Sequence, residues 1–324
     1  MNLHQKNSNL DQNSELDPQV KLLISKMEKL NAPPLNQLSP EQARENMNAA
    51  TALAGPPEPV ALINNIRIPG PSGEIPIRIY KPENNGPFPA LIYYHGGGWV
   101  TCSLDTHDNI CRSFSNRARC VVASVDYRLA PEHKFPAAID DAYYAAKWIF
   151  DNAKSIDCDS TRIAVGGDSA GGNLAAVVSI LSRDRGIPDL IFQLLLYPVT
   201  DISNTNTVSY ENFAEGCWLT KADMEWFRDH YLEKEDDCKN IHASPLLAKD
   251  LSGLPSAFII TAGFDVLRDE GEAYAQRLQQ AGVSAYLSRY NSMIHGFLSM
   301  DGVIDKAKDA INEAATALDT AFYK

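Results

Sequence analysis

Residues 163–173 read IAVGGDSAGGN, and this stretch predicts the fold more directly than any other part of the chain. It places the pentapeptide Gly167-Asp168-Ser169-Ala170-Gly171 between a short apolar run and a segment typical of a helix. A serine flanked in this way lies on a sharp strand-to-helix turn, where the glycines leave space and the hydroxyl is exposed at the edge of a sheet. The pattern therefore predicts that Ser169 is a nucleophile; a glycine-rich turn with an incidental serine is the alternative.

Similar apolar runs recur along the chain and alternate with amphipathic segments. The runs that we interpret as buried strands are 90–94, 121–125, 163–166, 191–197, 257–261 and 285–290. Helices are predicted at about 106–118, 136–152, 171–184, 269–281 and 303–321. This alternation predicts an α/β protein with a mostly parallel sheet and helices on both faces. A hairpin formed by 60–68 and 75–80 brings the expected number of strands to eight.

Other segments lie outside this alternation. Residues 1–17 are polar, and a loose tail is predicted there. Helices are predicted from Pro18, where apolar residues recur every three or four positions, and from Pro40, with Ser39 as N-terminal cap. The long gap between residues 197 and 257 contains a further predicted helix at 220–232. Long insertions at the carboxyl end of a sheet usually overhang a site.

A second glycine-rich segment, His95-Gly96-Gly97-Gly98-Trp99, follows the predicted strand 90–94. Where side chains are absent, backbone N–H groups can approach a ligand closely, and acyl transfer requires such donors for the negative charge of a tetrahedral intermediate. We assign this oxyanion hole to the N–H groups of Gly96 and Gly97, together with that of Ala170. A flexible turn or a phosphate-binding loop is the alternative, but no GK[ST] follows and no GxGxxG fits after a strand.

A serine nucleophile requires a base, and the base requires an acid that orients it. Three histidines follow Ser169 in the chain, namely His230, His242 and His295. The first two lie in or beside the insertion helix, whereas His295 follows the last predicted strand and is therefore assigned as the base. The acid is assigned to Asp265, the first carboxylate after strand 257–261, in preference to Asp269 one turn further on.

The composition excludes several classes of protein. With 29 Lys and Arg against 41 Asp and Glu, the net charge is −12, which argues against nucleic acid or an anionic membrane as a partner. The longest apolar run has five residues, whereas a transmembrane helix needs about 20. Because no secretory signal is recognisable either, we expect a cytoplasmic protein without stable membrane insertion. Six cysteines without a CxxC pair predict free thiols and no zinc site.

The chain also contains five motifs, which are His95–Gly98, Asp126–Glu132, Gly167–Asn173, Asp265–Glu270 and His295–Phe297. In this order they resemble the bacterial hormone-sensitive-lipase-like family of α/β-hydrolase carboxylesterases, in the subgroup with the GDSAG pentapeptide. The resemblance covers about residues 60–324. It implies an α/β-hydrolase fold with the triad and oxyanion hole assigned above. It also implies a helical cap, formed by helices within residues 1–59 and by an insertion at about 200–245, over a catalytic domain at 60–324.

For polar residues inside these motifs we mainly predict structural roles. Asp126, Arg128 and Glu132 are predicted to form a buried polar network that holds the glycine-rich loop. His95 is expected to bond to nearby backbone. Asp168, next to the nucleophile, is expected either to influence His295 or the alcohol side of the site, or to have a structural role.

We therefore expect a serine carboxylesterase that hydrolyses short- to medium-chain carboxylic esters through an acyl-enzyme intermediate. A small-molecule ester is the expected partner, no metal or organic cofactor is required, and the resemblance makes a homodimer plausible. Two alternatives remain. One is an amidase or peptidase on the same triad. The other is a non-catalytic small-molecule-binding protein on the same scaffold, because the resemblance extends to plant hormone receptors that lack the catalytic histidine.

Overall fold

The computed structural model describes residues 15–83 and 85–324 and contains one eight-stranded sheet. Its strands are β1 (Leu62–Gly70), β2 (Gly73–Lys81), β3 (Phe88–Tyr94), β4 (Val121–Val125), β5 (Cys158–Asp168), β6 (Phe192–Leu196), β7 (Ser256–Phe264) and β8 (Ala285–Ile294). Their order in the sheet is β1-β2-β4-β3-β5-β6-β7-β8, and β2 alone runs antiparallel to its neighbours. The predicted eight-stranded, mostly parallel sheet is therefore confirmed.

Nine α-helices accompany the sheet in the described part of the chain. They are α1 (Pro18–Leu30), α2 (Pro40–Ala49), α3 (Asp108–Arg117), α4 (Ala137–Asp151), α5 (Ala170–Arg185), α6 (Val208–Asn212), α7 (Lys221–Tyr231), α8 (Arg268–Gln280) and α9 (Asp305–Phe322). Alternate residues of β3 pack on opposite sides: Ile92 belongs to the core with α4, α5 and α8, whereas Leu91 belongs to the core with α3 and α9. Both faces of the sheet are thus covered, which explains the continuous apolar character of the central strands.

Several helices begin where the sequence predicts, at residues that cap the helix N-terminus. The Asp17 carboxylate caps α1 by accepting the N–H of Gln19 at 2.9 Å. Ser39 and Gln42 form a reciprocal capping box at the start of α2, and Thr220 does the same with Asp223 at α7. Such caps satisfy N–H groups that have no partner inside the helix.

The structure differs from the sequence prediction in several elements. Strand β5 begins at Cys158, five residues before its predicted start. Strand β8 continues to Ile294, four residues beyond its predicted end, because Ile294 pairs with Phe264 of β7 after a register shift. The short helix α6 was not predicted, since it spans only five residues. The sequence predicts that Gly55-Pro56-Pro57 ends the helix that begins at Pro40, whereas helix α2 already ends at Ala49 and continues as a 3₁₀ turn. Most of the predicted N-terminal tail lies outside the described residues.

The state of the cysteines agrees with the sequence prediction. All six cysteines are free and buried. Among the described helices, none combines the length and apolar character needed to cross a membrane.

Candidate active site

Ser169 occupies the turn between β5 and α5. Its backbone φ is +55°, a conformation that costs a non-glycine residue about 1–3 kcal/mol and clusters at functional sites. Both neighbouring glycines are required by packing, because a Cβ atom on Gly167 or Gly171 would overlap the carbonyl oxygen of Tyr94. The turn predicted from the pentapeptide is therefore present, and it exposes the serine side chain to the cavity described below.

Two side chains from distant parts of the chain meet Ser169. His295 follows β8, and its Nε2 lies 3.0 Å from the Oγ atom of Ser169. On the other side of the ring, Nδ1 lies 2.8 Å from Oδ2 of Asp265, which follows β7. All three residues are largely buried, with exposed fractions of 8%, 7% and 1% for Ser169, His295 and Asp265. The structure thus brings together the three residues that the sequence selected.

The orientation of this group follows from its hydrogen bonds. A buried carboxylate next to Nδ1 favours the tautomer that carries its proton on Nδ1, which leaves Nε2 to accept the serine hydroxyl. The second oxygen of Asp265 accepts the N–H of Leu267 at 2.9 Å, so the carboxylate is held at both oxygens. The competing acid, Asp269, instead accepts the N–H of Ser209 at 2.8 Å. Asp265 is therefore the carboxylate positioned to orient His295.

The glycine-rich loop, residues 95–99, requires one correction to the sequence prediction. The N–H of Gly96 donates to Oδ1 of Asp168 at 3.0 Å, so this group is not available as an oxyanion donor. By contrast, the N–H groups of Gly97, Gly98 and Ala170 have no protein acceptor among the described residues. Gly96, Gly97 and Gly98 are consecutive and identical in type. The sequence alone therefore does not show that the N–H of Gly96 is hydrogen-bonded while those of Gly97 and Gly98 are not.

Steric packing explains why glycine is required at Gly97 and Gly98. Both have positive φ, +100° and +58°, which side chains rarely tolerate. A Cβ atom on Gly97 would overlap the carbonyl oxygen of Thr101, and one on Gly98 would overlap the ring of Phe227 from α7. The insertion therefore packs directly against the glycine-rich loop.

His95, the first residue of this loop, and Asp168, which contacts the loop, are buried polar residues. His95 Nδ1 lies 2.7 Å from the carbonyl oxygen of Gly96, which confirms the expected bond to backbone. Burial, with the nearby His107 acting in the same direction, lowers the pKa of His95 to about 3. Burial alone would raise the pKa of Asp168, but the charge and hydrogen bond of His107 outweigh it, so that this pKa lies below its usual value. Asp168 is therefore an ionised group inside the protein.

The predicted buried network of Asp126, Arg128 and Glu132 is wrong. Arg128 pairs with Asp141 of α4 at 2.8 Å, whereas Glu132 is half exposed and pairs with Arg44 of α2 at 2.7 Å. The segment after β4 has little regular structure, so its side chains point in different directions and find separate partners.

A cavity of about 450 Å³ opens above Ser169 and His295. Its walls combine the glycine-rich loop with apolar residues of α1, of the α1–α2 region and of the insertion that contains α7. These apolar residues include Ile24, Met27, Leu35, Met47, Leu219, Met224 and Phe227. Apolar walls with a few convergent polar groups are typical of small-molecule sites.

The comparisons with known proteins agree with this geometry. A family model described as alpha/beta hydrolase fold matches residues 91–299. The carboxylic ester hydrolase LipN of Mycobacterium tuberculosis is 45% identical over 85% of this chain and 75% of its own length.

Two solved structures extend the similarity to the whole fold. The ester hydrolase EH1AB1 from the metagenome of Lake Arreo, complexed with a derivative of bipyridine phosphonate, is 44% identical with a TM-score of 0.93, covering 95% of this chain and 100% of that chain. A hyperthermophilic esterase from Pyrobaculum calidifontis is 41% identical with a TM-score of 0.91, covering 95% and 99%. The chain therefore belongs to the α/β-hydrolase fold family and, within it, to the carboxylic ester hydrolases.

Proposed function

We propose that this ester hydrolase acts through a covalent acyl-enzyme on Ser169, with His295 as the base and Asp265 as the acid. The observation that carries the proposal is the unbroken contact from Asp265 through both ring nitrogens of His295 to the Ser169 hydroxyl, at 2.8 and 3.0 Å. Such an arrangement raises the nucleophilicity of a serine that is otherwise weak at neutral pH.

The reaction follows from these contacts. Oγ of Ser169 attacks the ester carbonyl carbon while its proton moves to Nε2 of His295, and Asp265 stabilises the imidazolium that forms. The bond to the alcohol oxygen then breaks, and the alcohol leaves with the proton from Nε2. Water enters, gives its proton to Nε2 and attacks the acyl carbon. Release of the carboxylic acid returns the proton to Ser169.

The oxyanion hole is proposed to consist of the N–H groups of Gly97, Gly98 and Ala170. All three lack a protein acceptor in the described chain. This supports the choice most directly for Gly98 and Ala170, which are buried, because buried donors are normally paired. The N–H of Ala170 also lies at the N-terminus of α5, where the helix dipole favours negative charge. Each donor of this type contributes about 2.7–4 kcal/mol to the stabilisation of the transition state.

The substrates are proposed to be short- to medium-chain esters. The apolar walls of the cavity and its volume of about 450 Å³ suit a small organic ester rather than a long lipid chain. The helices at 18–53 and the insertion at 200–245 are proposed to act as a cap on a catalytic domain at 60–324, since residues of both segments line the cavity. The homodimer and the cytoplasmic location stay predictions.

The variant Ser169→Ala tests the proposal. Its turnover of p-nitrophenyl butyrate is expected to fall by about 10⁶-fold, as for a residue that acts as part of a unit. Ser179→Ala is the matched control, because Ser179 is buried on helix α5 and its hydroxyl donates to the carbonyl of Ala175 in the same helix. A fluorophosphonate should label Ser169 in the wild-type protein. Unlabelled wild type, or substantial turnover by Ser169→Ala, would contradict the proposed mechanism.

Chain length and bond type are tested with matched substrates. Among p-nitrophenyl esters, the highest kcat/KM is expected for the shorter acyl chains, and a maximum at palmitate would contradict the size assignment. The matched p-nitroanilides should be hydrolysed far more slowly. Comparable rates for the two series would favour the amidase alternative, since the same groups can protonate an amine.

A further inference from the structure

A second acid–base pair contacts the glycine-rich loop at the border of the cavity, outside the triad. Nε2 of His107 is 3.2 Å from Oδ2 of Asp168, and both residues are at most 5% exposed. The carboxylate also accepts the hydroxyl of Tyr93 at 2.8 Å and the N–H of Gly96 at 3.0 Å. One buried carboxylate thus receives three donors, which is the arrangement that stabilises its charge inside a protein.

His107 is itself held in place from its other side. Its Nδ1 lies 2.9 Å from Oγ1 of Thr106, and that oxygen is also 2.9 Å from both the N–H and the carbonyl of Ser103. His107 directly precedes α3, so the pair, which borders the cavity, connects the glycine-rich loop to the start of this helix.

Three carbonyl groups of the loop are also held in place by hydrogen bonds. The carbonyl of residue 95 accepts the hydroxyl of Tyr127 at 2.8 Å, that of Gly96 lies 2.7 Å from Nδ1 of His95, and that of Gly97 accepts the N–H of Thr101 at 2.8 Å. In a planar trans peptide the N–H points away from the carbonyl. Holding each carbonyl therefore sets the direction of the next N–H, which belongs to Gly96, Gly97 and Gly98 in turn.

We propose that Asp168 and His107 are positioning residues that clamp the first of these peptides and thereby aim the N–H groups of Gly97 and Gly98 into the cavity. The inference rests on the proposed function, because it assigns to the clamp the orientation of the proposed oxyanion hole. Asp168 acts through the loop and touches neither the reacting atoms nor His295 in the described contacts.

A clamp on the oxyanion hole and a residue that only stabilises the fold should affect the kinetics differently. A clamp on the oxyanion hole contributes when negative charge develops on the substrate oxygen, and much less when the neutral ester binds. Loss of the clamp should therefore lower kcat while KM changes little, since that pattern marks an interaction made in the transition state.

The test compares Asp168→Ala, His107→Leu and His107→Gln with the wild type. For Asp168→Ala, kcat with p-nitrophenyl butyrate is expected to fall by about 10²–10³-fold, the cost of losing one oxyanion donor, with KM within about threefold. The kcat of His107→Leu should also fall, but by a smaller factor. The kcat of His107→Gln should be higher than that of His107→Leu, because an amide can still donate to Asp168. Ser113→Ala on α3 is the matched control, since Ser113 is buried but bonds to Glu58 instead of the loop.

A tetrahedral inhibitor shows whether a lower kcat results from loss of the clamp or from partial unfolding of the variant. The inhibition constant of phenylboronic acid should rise by the same factor by which kcat falls, whereas a smaller folded fraction would lower kcat without changing that constant. The inference is overturned if folded Asp168→Ala and His107→Leu keep kcat within threefold of wild type, or if only KM changes. If Asp168→Ala does not fold, the pair of His107 variants decides alone. Failure of the proposed function is distinguishable, because wild-type Ser169 would then remain unlabelled by the fluorophosphonate.

Discussion

Ser169, Gly97 and Gly98 share an unusual feature at the residue scale, because all three have positive φ. The strain at Ser169 directs its hydroxyl out of the sheet, and the glycines let the loop pass beneath the insertion without side chains. Single substitutions in this region should therefore change catalysis more than stability.

The first prediction at this scale concerns Gly98→Ala. A methyl group would overlap the ring of Phe227, so the loop must shift and kcat/KM is expected to fall at least about 10²-fold. Gly282→Ala is the control, because it has a comparable φ of +81° but nothing within 4 Å. It should lose about 1 kcal/mol of stability with unchanged kcat. Wild-type activity in Gly98→Ala, measured with p-nitrophenyl butyrate, would contradict this account.

The second prediction concerns the pH dependence of stability through His95. Its pKa falls from an ordinary value of 6.5 to about 3 on folding, mainly through burial. Between these values the unfolded chain binds more protons, so stability decreases as the pH falls below 6.5. The contribution lost between pH 6.5 and 5 is about 2 kcal/mol.

Urea unfolding at several pH values checks the His95 prediction. The His95→Gln variant cannot titrate at this position, so its free energy of unfolding should decline less steeply between about pH 6.5 and 5 than that of the wild type. Equal slopes for the two proteins would show that His95 is not the group responsible.

At the scale of secondary-structure elements, helix α2 is attached to the segment that follows the glycine-rich loop. Nε of Arg44 donates to the carbonyl of Val100 at 2.9 Å, and Nη2 donates to that of Ala130 at 3.0 Å. The same guanidinium contacts both oxygens of Glu132 at 2.7 Å, and this pairing lowers the pKa of Glu132 to about 2. One side chain therefore connects α2 to backbone on both sides of β4.

A third prediction follows for this attachment. Arg44→Met should reduce the free energy of unfolding by about 2 kcal/mol, because two backbone carbonyls lose a charged donor. Glu132→Gln should cost at most about 1 kcal/mol, since Glu132 is half exposed and its ion pair is screened by solvent. Urea midpoints measure both values. A larger loss in Glu132→Gln than in Arg44→Met would show that the ion pair, and not the carbonyl bonds, holds the helix.

At the scale of the whole molecule, the cavity has an acidic lining, and the whole chain is also acidic, with a net charge of −12. Among the described residues that line the cavity, Glu28, Asp168 and Asp223 are acidic, and none is Lys or Arg. Since Asp168 is paired with His107 and the buried Asp223, at the start of α7, accepts backbone N–H groups, the exposed Glu28 is the acidic group that acts most directly on an approaching ligand. Clefts lined by one sign of charge repel ligands of the same sign.

The fourth prediction is therefore a preference for neutral over anionic esters. At low ionic strength, kcat/KM for ethyl butyrate should exceed that for monoethyl succinate by about tenfold or more, and the ratio should shrink as salt screens Glu28. Glu28→Gln should also reduce the ratio, whereas Glu74→Gln, an exposed change on the β1–β2 hairpin away from the cavity walls, should not. Equal rates for both esters in low salt would contradict the electrostatic argument.

Much of this molecule could be predicted because the relevant signals are local. Apolar periodicity predicted all eight strands, and caps such as Ser39 predicted helix starts, since both depend on residues within a few positions of each other. The order of Ser169, Asp265 and His295 relative to strand ends was sufficient to select the three side chains that meet. The carboxyl ends of parallel strands lie at the same edge of a sheet, so this choice needed no distances.

The sequence by itself therefore determined the sheet, the strained turn and the identity of the residues around the hydroxyl. Only the tertiary structure decided which glycine N–H groups face the cavity, because Gly96 is bonded to a carboxylate 72 positions away. It also decided that Glu132 binds Arg44, 88 positions away, instead of joining a network with Arg128. The direction of a peptide group and the partner of a long side chain depend on atoms that only folding brings within hydrogen-bonding distance, and no local pattern records them.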